Sequence, residues 1–509
     1  MNETDLIVLL QDAVKENVRA FVAGQPADRV LCKDWAQGLC RRVLPLVAES
    51  LFEAWTEVLT DRAKEVGLTC PKCGKARKCK TRPGQPMKVR MLGLVVVVPK
   101  LYLECGHCDA PGVSITRLLT GLHSGDASGE LKLMAGYCGA EHSYGKASRD
   151  LLAHHGQDVE RTSVRRMALE VEGWGKAFVE EQRAAALQRV SGEARREGVG
   201  RLMMQGDGGS VRTGTLVACE PGDAGYGKTT PKTGKPRRKR VTQKREIITL
   251  DMRQPGEMEP TALDVVVPCE AEPGQRSRRM LALAARSGLG DNTEVLGLGD
   301  LGSSLPASFD EAFCGYNATY SADWKHVRNY VDGAAAVLEG IDADTWHKAM
   351  RDAVWNHDKG QRDALLAQAH THRVSDLPED LHGCPVHALD SYVCNNWHRM
   401  RSARFKAMGV DYVSARAEAQ VRERTRKRYE VPGAWRQEHL EGKATLRAII
   451  DEGSWPRFCQ WCHERSMDRF ARELVQRLDD AVQQGRLGAE QADNVLSETP
   501  TDQAVAAAA

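Results

Sequence analysis

Apolar and polar positions along the chain follow two periods, one typical of helices and one typical of strands. Residues 1–66 carry apolar side chains three to four positions apart, as in LIVLLQDAVKENVRAFV, which predicts an N-terminal helical region. Residues 67–115 change to short apolar runs interrupted by cysteine and glycine, which indicates strands. Residues 126–195 return to the helical spacing.

The second half of the chain predicts an α/β core, so the whole chain is expected to be a multidomain α/β protein. Strand-like runs and helical stretches alternate over residues 200–324. Residues 325–390 are helical and form an insertion between two core elements, and residues 391–410 predict a further core helix. A charged helical region follows over 411–495. The tail 496–509 has no core to pack against and is expected to be disordered.

Length and composition narrow the class of protein. The chain has 509 residues, enough for three or four domains, and its 42% apolar and 28% charged residues suit a soluble globular protein. No run approaches the ~18 apolar residues of a membrane span, and the acidic, amphipathic start does not resemble a secretory signal. We therefore expect a cytoplasmic protein, in which the 15 cysteines are reduced thiols or metal ligands rather than disulfides.

Two CxxC pairs predict a zinc ribbon within residues 67–115. Cys70 and Cys73 form the first pair, and Cys105 and Cys108 form the second. Zinc prefers four soft ligands in a tetrahedron, and a CxxC turn offers two thiolates from one tight bend. The residues between the pairs, MKVRMLGLVVVVPKLYLEC, predict a β-hairpin that would bring the pairs together. The metal is expected to be structural and to contribute much of the folding energy of this segment.

A helix-turn-helix is predicted within residues 126–195. Gly156 would end its first helix, and Thr162 or Ser163 would cap a second helix that runs to about Glu172. Three arginines lie near the start of the second helix, where a recognition helix meets DNA: Arg161, Arg165 and Arg166. An ordinary helical hairpin is the alternative interpretation.

Basic residues are clustered, although the net charge of the chain is only +2. Residues 245–251, REIITLD, predict an antiparallel partner for the first core strand, and a polar loop precedes them. Over residues 228–245 this loop holds nine lysines or arginines and no acid, so phosphate contacts are expected there. The central members of this group are Arg237, Arg238, Lys239 and Arg240. A second basic stretch, 416–428, fits either a solvated helix face or a phosphate-binding surface.

Two predicted core strands end in an acid. Residues 202–209 lead to Asp207, and residues 294–300 lead to Asp300. A third strand, 317–322, runs into Asp323. Carboxylates at neighbouring strand ends can hold two Mg²⁺ ions about 3.5–4 Å apart, an arrangement that supports phosphoryl transfer.

Four short stretches follow one another in the core, namely Asp207-Gly208-Gly209, Gly299-Asp300-Leu301-Gly302, Asp323-Trp324-Lys325-His326 and Arg404-Phe405-Lys406-Ala407-Met408-Gly409. In this order, behind a ribbon and a helix-turn-helix, they resemble bacterial insertion-sequence transposases of the DDE class. The resemblance implies an RNase H-like core and Mg²⁺-dependent cleavage and joining of DNA strands at element ends. It also implies double-stranded DNA as partner and a homo-oligomer.

The resemblance expects a third acid, a glutamate about ten residues before Arg404, but Cys394 stands there. Asp390 lies one helical turn earlier on the same face and is the candidate third catalytic residue beside Asp207 and Asp300. The alternative is a catalytically inactive, repurposed transposase that acts as a DNA-binding regulator or targeting subunit. A nuclease without joining activity is a third possibility.

A second metal site could be built from Cys384, His387, Cys459 and Cys462, or these could be buried thiols and surface histidines.

Overall fold

The structure is a computed structural model, and we describe residues 69–81, 87–91, 94–98, 100–123, 125–191, 197–230, 234–257, 261–266, 274–301, 304–374, 383–414, 437–489 and 491–493. The predicted N-terminal helical region, the basic stretch 416–428 and the tail lie outside the described residues. The chain divides into two compact units. The first comprises residues up to Val171 and those from Pro456 onwards, and the second comprises Glu172–Trp455.

The cysteine-rich segment of the first unit consists of five short strands. They are β1 (Lys78–Thr81), β2 (Met87–Met91), β3 (Leu94–Val98), β4 (Leu101–Glu104) and β5 (Val113–Ser114). β4 pairs with β1 and β5, and β2 pairs antiparallel with β3, which confirms the predicted hairpin. Helix α1 (Ile115–Thr120) follows β5 directly.

A long C-terminal helix, Trp455–Gln483, returns to this segment. Leu474 and Leu478 of that helix share one buried cluster with Leu103 of β4 and Ile115 of α1. The ribbon therefore gains apolar core from residues that lie more than 350 positions away in the sequence. The charged character of residues 411–495 gave no indication of this contact.

Three helices complete the first unit, namely α2 (Gly129–Glu141), α3 (Tyr144–His155) and α4 (Arg161–Val190). The hydroxyls of Ser128 and Ser143 cap α2 and α3, and Gly156 ends α3 in the left-handed conformation at φ 64°, as predicted. Their shared core is formed by Leu131, Ala135, Ala147, Leu151, Val159, Val164 and Met167.

The prediction for α4, the second helix of the expected helix-turn-helix, was wrong at both ends. α4 begins at Arg161, so Thr162 and Ser163 lie in its first turn, and it continues for 30 residues instead of ending at Glu172. Gly175, beyond the expected end, lies inside the helix. A Cβ atom there would be 2.6 Å from Leu446, so the glycine permits a close helix contact.

The second unit contains a mixed five-stranded sheet with strand order β10-β9-β6-β7-β8. The strands are β6 (Arg201–Ala218), β7 (Arg238–Arg253), β8 (Ala262–Val266), β9 (Glu294–Gly299) and β10 (Asn317–Ala322). β6, β9 and β10 are parallel, whereas β7 is antiparallel to both β6 and β8. The unit is thus α/β, and its third parallel strand has the predicted bounds.

Among the described residues, eight α-helices lie wholly within the second unit. They are α5 (Gln275–Arg286), α6 (Leu305–Ala312), α7 (Trp324–Ala335), α8 (Ala343–Trp355), α9 (Lys359–His372), α10 (Pro385–Asn395), α11 (Ser402–Ala407) and α12 (Gln437–Asp451). α5 and α6 pack on the face that carries Met204 and Val295. Phe405 of α11 packs on the opposite face, which carries Met203 and Leu296.

The predicted insertion is a helical subassembly with its own core. α7 to α10 share one buried cluster that includes Val327, Met350, Leu366 and Leu389. The further core helix was predicted over 391–410, but α10 already begins at Pro385 and ends at Asn395. Among the described residues, no helix is both long and apolar enough to cross a membrane.

Candidate metal centre and carboxylate site

The four ribbon cysteines converge, as the CxxC spacing predicts. Their sulfur atoms all lie within 4.8 Å of one another. The Cys70 and Cys108 sulfurs are 3.5 Å apart, and so are those of Cys73 and Cys105. A zinc ion about 2.3 Å from each of four sulfurs requires edges of about 3.8 Å, so the group has the size of a tetrahedral zinc site.

Local backbone geometry forms the first cysteine knuckle. The Gly74 amide donates to the Cys70 carbonyl over 2.8 Å, and Gly74 has φ 70°, a conformation that favours glycine. Burial opposes ionisation of Cys70, but amide hydrogen bonds from Cys73 and Lys72 and the neighbouring thiols lower its pKa to about 6. A hydrogen bond from the His107 amide lowers the pKa of Cys105. The Ala110 amide favours the thiolate of Cys108, but burial and hydrogen bonds with the other three thiols raise the pKa of Cys108 to about 12, so the backbone amides favour the thiolates of Cys70 and Cys105.

In the second unit, three acids lie at the level of the sheet where β9 and β10 end. Gly206, Gly299 and Ala322 are in register across β6, β9 and β10. The next residues are Asp207, Asp300 and Asp323. Because side chains alternate along strands and register-matched neighbours share a face, the register places these three acids at one level on one side of the sheet. Asp207 and Asp300 thus lie on neighbouring strands, as predicted.

His326, on the first turn of α7, lies between two of these acids. Its Nδ1 is 3.8 Å from Oδ1 of Asp300, and its Nε2 is 3.9 Å from Oδ2 of Asp323. Asp323 is fully buried and caps α7 by accepting a hydrogen bond of 2.8 Å from the Lys325 amide. It also accepts a hydrogen bond from the Ser414 hydroxyl. Asp323 is therefore fixed, and His326 lies between it and Asp300 at separations longer than a hydrogen bond.

Three tyrosines lie within electrostatic range of Asp300. Burial raises the pKa of Tyr320, Tyr330 and Tyr392, and the charge of Asp300 raises each pKa further. The hydroxyl of Tyr320 is buried without a hydrogen-bond partner in the described part of the protein. The same holds for the hydroxyl of Thr249, the register partner of Asp207.

These buried oxygens and the carboxylates fit a hydrated cation. Mg²⁺ prefers oxygen ligands and keeps several waters, which would supply partners for the orphan hydroxyls. Asp207 and Asp300 are the residues that would hold it. The oxygens of Asp207 and Asp300 do not belong to a compact cluster of three or more metal ligands. Among the described residues, the four cysteine sulfurs form the only such cluster.

Asp390, the predicted third ligand, has other partners. Its Oδ2 lies 2.9 Å from His370 Nε2 on α9. Burial opposes its ionisation, but hydrogen bonds from Cys394 and His370 lower its pKa below the ordinary value. Tyr392, two residues further along α10 and so nearly opposite on the helix, is the residue that approaches Asp300. The catalytic assignment of Asp390 stays a prediction. On the side of α10 nearer to Asp300, the side chain is the phenol of Tyr392.

The predicted DNA-binding arginines of the helix pair lie at the start of α4. Arg161 is its first residue, and both Arg161 and Arg166 are exposed, whereas Arg165 is half-buried. No acid lies in the first turn of α4. Two of the three guanidinium groups are therefore accessible to a phosphate or a base edge.

The second part of the basic loop expected over 228–245, residues 238–245, is strand. Arg238, Lys239 and Arg240 lie on β7, paired with residues near the end of β6, and Arg237 directly precedes them. The expectation that these cations face no acid was wrong for Lys239, whose Nζ is 2.8 Å from Asp223 and 3.6 Å from Glu220. Both acids precede the basic segment in the sequence, so a local count of charges missed them.

A second metal site has no support in the second unit. The Sγ of Cys384 accepts a hydrogen bond of 3.5 Å from Arg373, and the ring of His387 lies 4.7 Å from that of His370. Around Cys384 and His387, the described residues provide no group of three or more suitable ligands.

Comparison with known proteins gives no relative from which a function could be transferred. No protein-family model matches the chain, and no curated protein matches it. The features that indicate a function are therefore the cysteine group, the carboxylates of Asp207 and Asp300, and the basic surfaces.

Proposed function

We propose that the protein is a DNA-binding protein of the transposase type, with an RNase H-like core that cleaves and joins DNA strands at element ends. The observation that carries the proposal is that Asp207, inside β6, and Asp300, directly after β9, stand at the same register level of two neighbouring parallel strands. The Cys₄ ribbon and the α2 to α4 helices would bind double-stranded DNA. A homo-oligomer that pairs two element ends is part of the proposal.

The topology of the sheet supports the RNase H-like assignment. In chain order the five strands occupy positions 5-4-1-2-3, with strands 1 to 3 antiparallel and strands 4 and 5 parallel to strand 1. A central strand flanked in this way is the arrangement that an RNase H-like core requires. The first acid lies on the central strand and the second on its parallel neighbour, as the resemblance implies.

The chemistry follows from what these residues can do. Mg²⁺ bound there would supply a Lewis acid that stabilises charge on the transferring phosphate and lowers the pKa of a water or 3′-hydroxyl. Asp207 and Asp300 would provide the oxygen ligands. Asp323 would hold His326 beside Asp300 and so limit the positions that the Asp300 carboxylate can adopt.

A specific observation favours a second candidate, a DNA-binding protein that has lost cleavage. α10 contains a single acid, Asp390, and this acid is hydrogen-bonded to His370. Tyr392 approaches Asp300 from the same helix. A chain that retained the sheet and its DNA-binding parts, but presented a phenol in place of a third carboxylate, would bind DNA as a regulator or targeting subunit.

The test is strand cleavage by the full chain. A supercoiled plasmid that carries the gene with its flanking DNA is incubated with Mg²⁺ or Mn²⁺, and nicked, linear and joined products are quantified. For an active enzyme, Asp207→Asn and Asp300→Asn lower the rate by about a hundredfold or more, because bound metal contributes several kcal/mol to the transition state. Asp352→Asn, on the exposed side of α8, is the control and leaves the rate unchanged.

Asp390→Asn separates the two candidates further. Loss of cleavage in this variant, as in the other two, would support the three-carboxylate enzyme. Full activity of Asp390→Asn, with the other two inactive, would remove Asp390 from the site. Tight DNA binding by the wild-type chain without cleavage in either metal would contradict the enzyme and favour the repurposed protein.

A further inference from the structure

The longest strand pair of the second unit extends beyond its sheet. β9 pairs with β6 only as far as Gly206, and β8 pairs with β7 only as far as Ile248. β6 and β7 continue as a two-stranded ribbon for ten further residue pairs, from Gly209↔Ile247 to Ala218↔Arg238. At its base, Val211 and Ile247 pack on α12. The ribbon therefore leaves the sheet from an anchored base.

The outer part of this ribbon, residues 212–218 and 238–244, is called the arm. Its seven residue pairs span about 24 Å at ~3.4 Å per residue. Residues directly opposite each other share a face, so one face contains Arg212, Gly214, Leu216 and Ala218 with Arg238, Arg240, Thr242 and Lys244. This face has four cations and no acid, and all four cations are exposed. We call it the cationic face.

The charges on the cationic face oppose the stability of the ribbon. Arg212 and Lys244 are direct cross-strand partners, and like charges in that position are destabilising. None of the four cations forms an ion pair with an acid in the described part of the protein, whereas Lys239 on the other face pairs with Asp223. An arrangement that weakens the isolated strand pair is explained if a polyanion covers this face.

From these observations we infer that the arm enters the major groove of duplex DNA with the cationic face against the nucleic acid. The major groove, about 12 Å wide and 8.5 Å deep, admits a two-stranded ribbon, whose strands are about 4.8 Å apart. Three of the four cations are arginines, which bind phosphate or guanine with two parallel hydrogen bonds. The cationic face has no aromatic residue, so it lacks the stacking platform that single strands require.

The position of the arm agrees with the proposed function, on which the choice of DNA as partner rests. Arg212 lies five residues after Asp207 on the same strand, a distance of about 17 Å. Duplex DNA held by the arm would therefore lie close to the strand-end carboxylates. The inferred binding of DNA by the arm does not depend on whether the protein cleaves DNA.

The experiment compares Arg212→Gln/Arg240→Gln/Lys244→Gln with the matched control Arg278→Gln/Lys348→Gln/Lys359→Gln, which removes three exposed charges from α5, α8 and α9. Binding to a mixed-sequence duplex of about 30 base pairs is measured by fluorescence anisotropy in EDTA over a range of KCl concentrations. The arm variant is expected to lose affinity by about tenfold or more. Its slope of log K against log salt falls by about 2 to 3, since each phosphate contact contributes about 0.9. An arm variant that behaves like the control overturns the inference.

Two further measurements test groove entry. Wild-type protein should protect guanine N7, which lies in the major groove, from methylation, and the arm variant should not. Double-stranded RNA, whose major groove is too deep and narrow for side chains, should bind without any effect of the arm substitutions. An equal loss on RNA, or a loss of affinity without loss of N7 protection, would contradict groove entry.

The conservative variant Arg212→Lys/Arg240→Lys guards against misfolding. It keeps the charge, so the salt slope should remain, whereas guanine protection should weaken because lysine cannot form the two-pronged contact. Since all binding is measured in EDTA, an inactive enzyme would give the same binding results. A result that contradicts DNA binding by the arm can thus be distinguished from a result that contradicts DNA cleavage.

Discussion

Gly297 lies in the middle of β9, where a Cβ atom would be 2.4 Å from Tyr320 and 2.8 Å from Phe309. At Gly299 a Cβ atom would be 2.6 Å from the Tyr320 hydroxyl and 2.8 Å from the Gly206 carbonyl. The glycines before Asp300 therefore let α6 and β10 approach the central strands closely. They belong to the packing that holds Asp300 in place.

Gly297→Ala is expected to destabilise the second unit by about 1–3 kcal/mol, because neither buried aromatic ring can move without disturbing its neighbours. Urea unfolding should show a lower midpoint with an unchanged m-value. Gly315→Ala is the control, since nothing lies within 4 Å of its Cβ and it should leave the midpoint nearly unchanged. Equal midpoints for both variants would contradict this account of the glycine pattern.

Substitution of Cys70 tests the metal centre, because it removes one of the four sulfur ligands. Cys70→Ser should lower the zinc content of purified protein by about one equivalent per chain, because a four-thiolate site holds one ion. Mass spectrometry of metals or a chromogenic zinc assay gives the count. Cys314→Ser, an exposed thiol of the second unit, should leave it unchanged. Zinc that is retained in Cys70→Ser would show that the four sulfurs do not form the site.

At the scale of elements, α4 combines two roles. Its first turns belong to the α2–α3 core through Val164 and Met167, whereas its later turns belong to the second unit, where Gly175 faces α12. The exposed Arg161 and Arg166 lie at its start. If the helix is a recognition element, its contacts with DNA arise from that first turn.

Arg161→Gln/Arg166→Gln should lower the affinity for duplex DNA and reduce the salt slope by about 2, because two phosphate contacts are lost. Anisotropy titrations at several salt concentrations give both quantities. Arg117→Gln/Arg486→Gln removes two exposed charges elsewhere in the first unit and is the matched control. A slope equal to that of the control would leave α3 and α4 as an ordinary helical pair.

At the scale of the whole molecule, the two units have separate cores. The ribbon packs on the C-terminal helix through Leu103, Ile115 and Leu478, and the sheet packs on α5 and α6. The ribbon core is small, so zinc is expected to contribute much of its stability. The sheet has a large apolar core and contains no part of the metal centre.

Removal of zinc with a chelator should therefore loosen the first unit and leave the second intact. Hydrogen exchange should become faster for amides of β1, β4 and β5, while amides of β6 and β9 keep their protection. Readdition of zinc should restore the slow exchange. Loss of protection in the sheet on the same time scale would contradict the independence of the two cores.

The sequence by itself determined the features that depend on neighbouring residues. CxxC spacing brought four sulfurs together, the strand predicted at about 317–322 is β10, and Gly156 ended α3 where expected. The placement of Asp300 directly after β9 also followed from local pattern, whereas Asp207 lies inside β6, which continues to Ala218. These features need only backbone period, turn chemistry and a strong ligand preference.

Only the tertiary structure decided which partners each element meets. It extended α4 through Gly175 and made the basic loop a strand, because packing on α12 and pairing with β6 outweigh local signals. It brought the C-terminal helix to the ribbon. It also turned Asp390 towards His370 and Tyr392 towards Asp300. A helical period states which residues share a face, but the contacts that select the face come from residues distant in the chain.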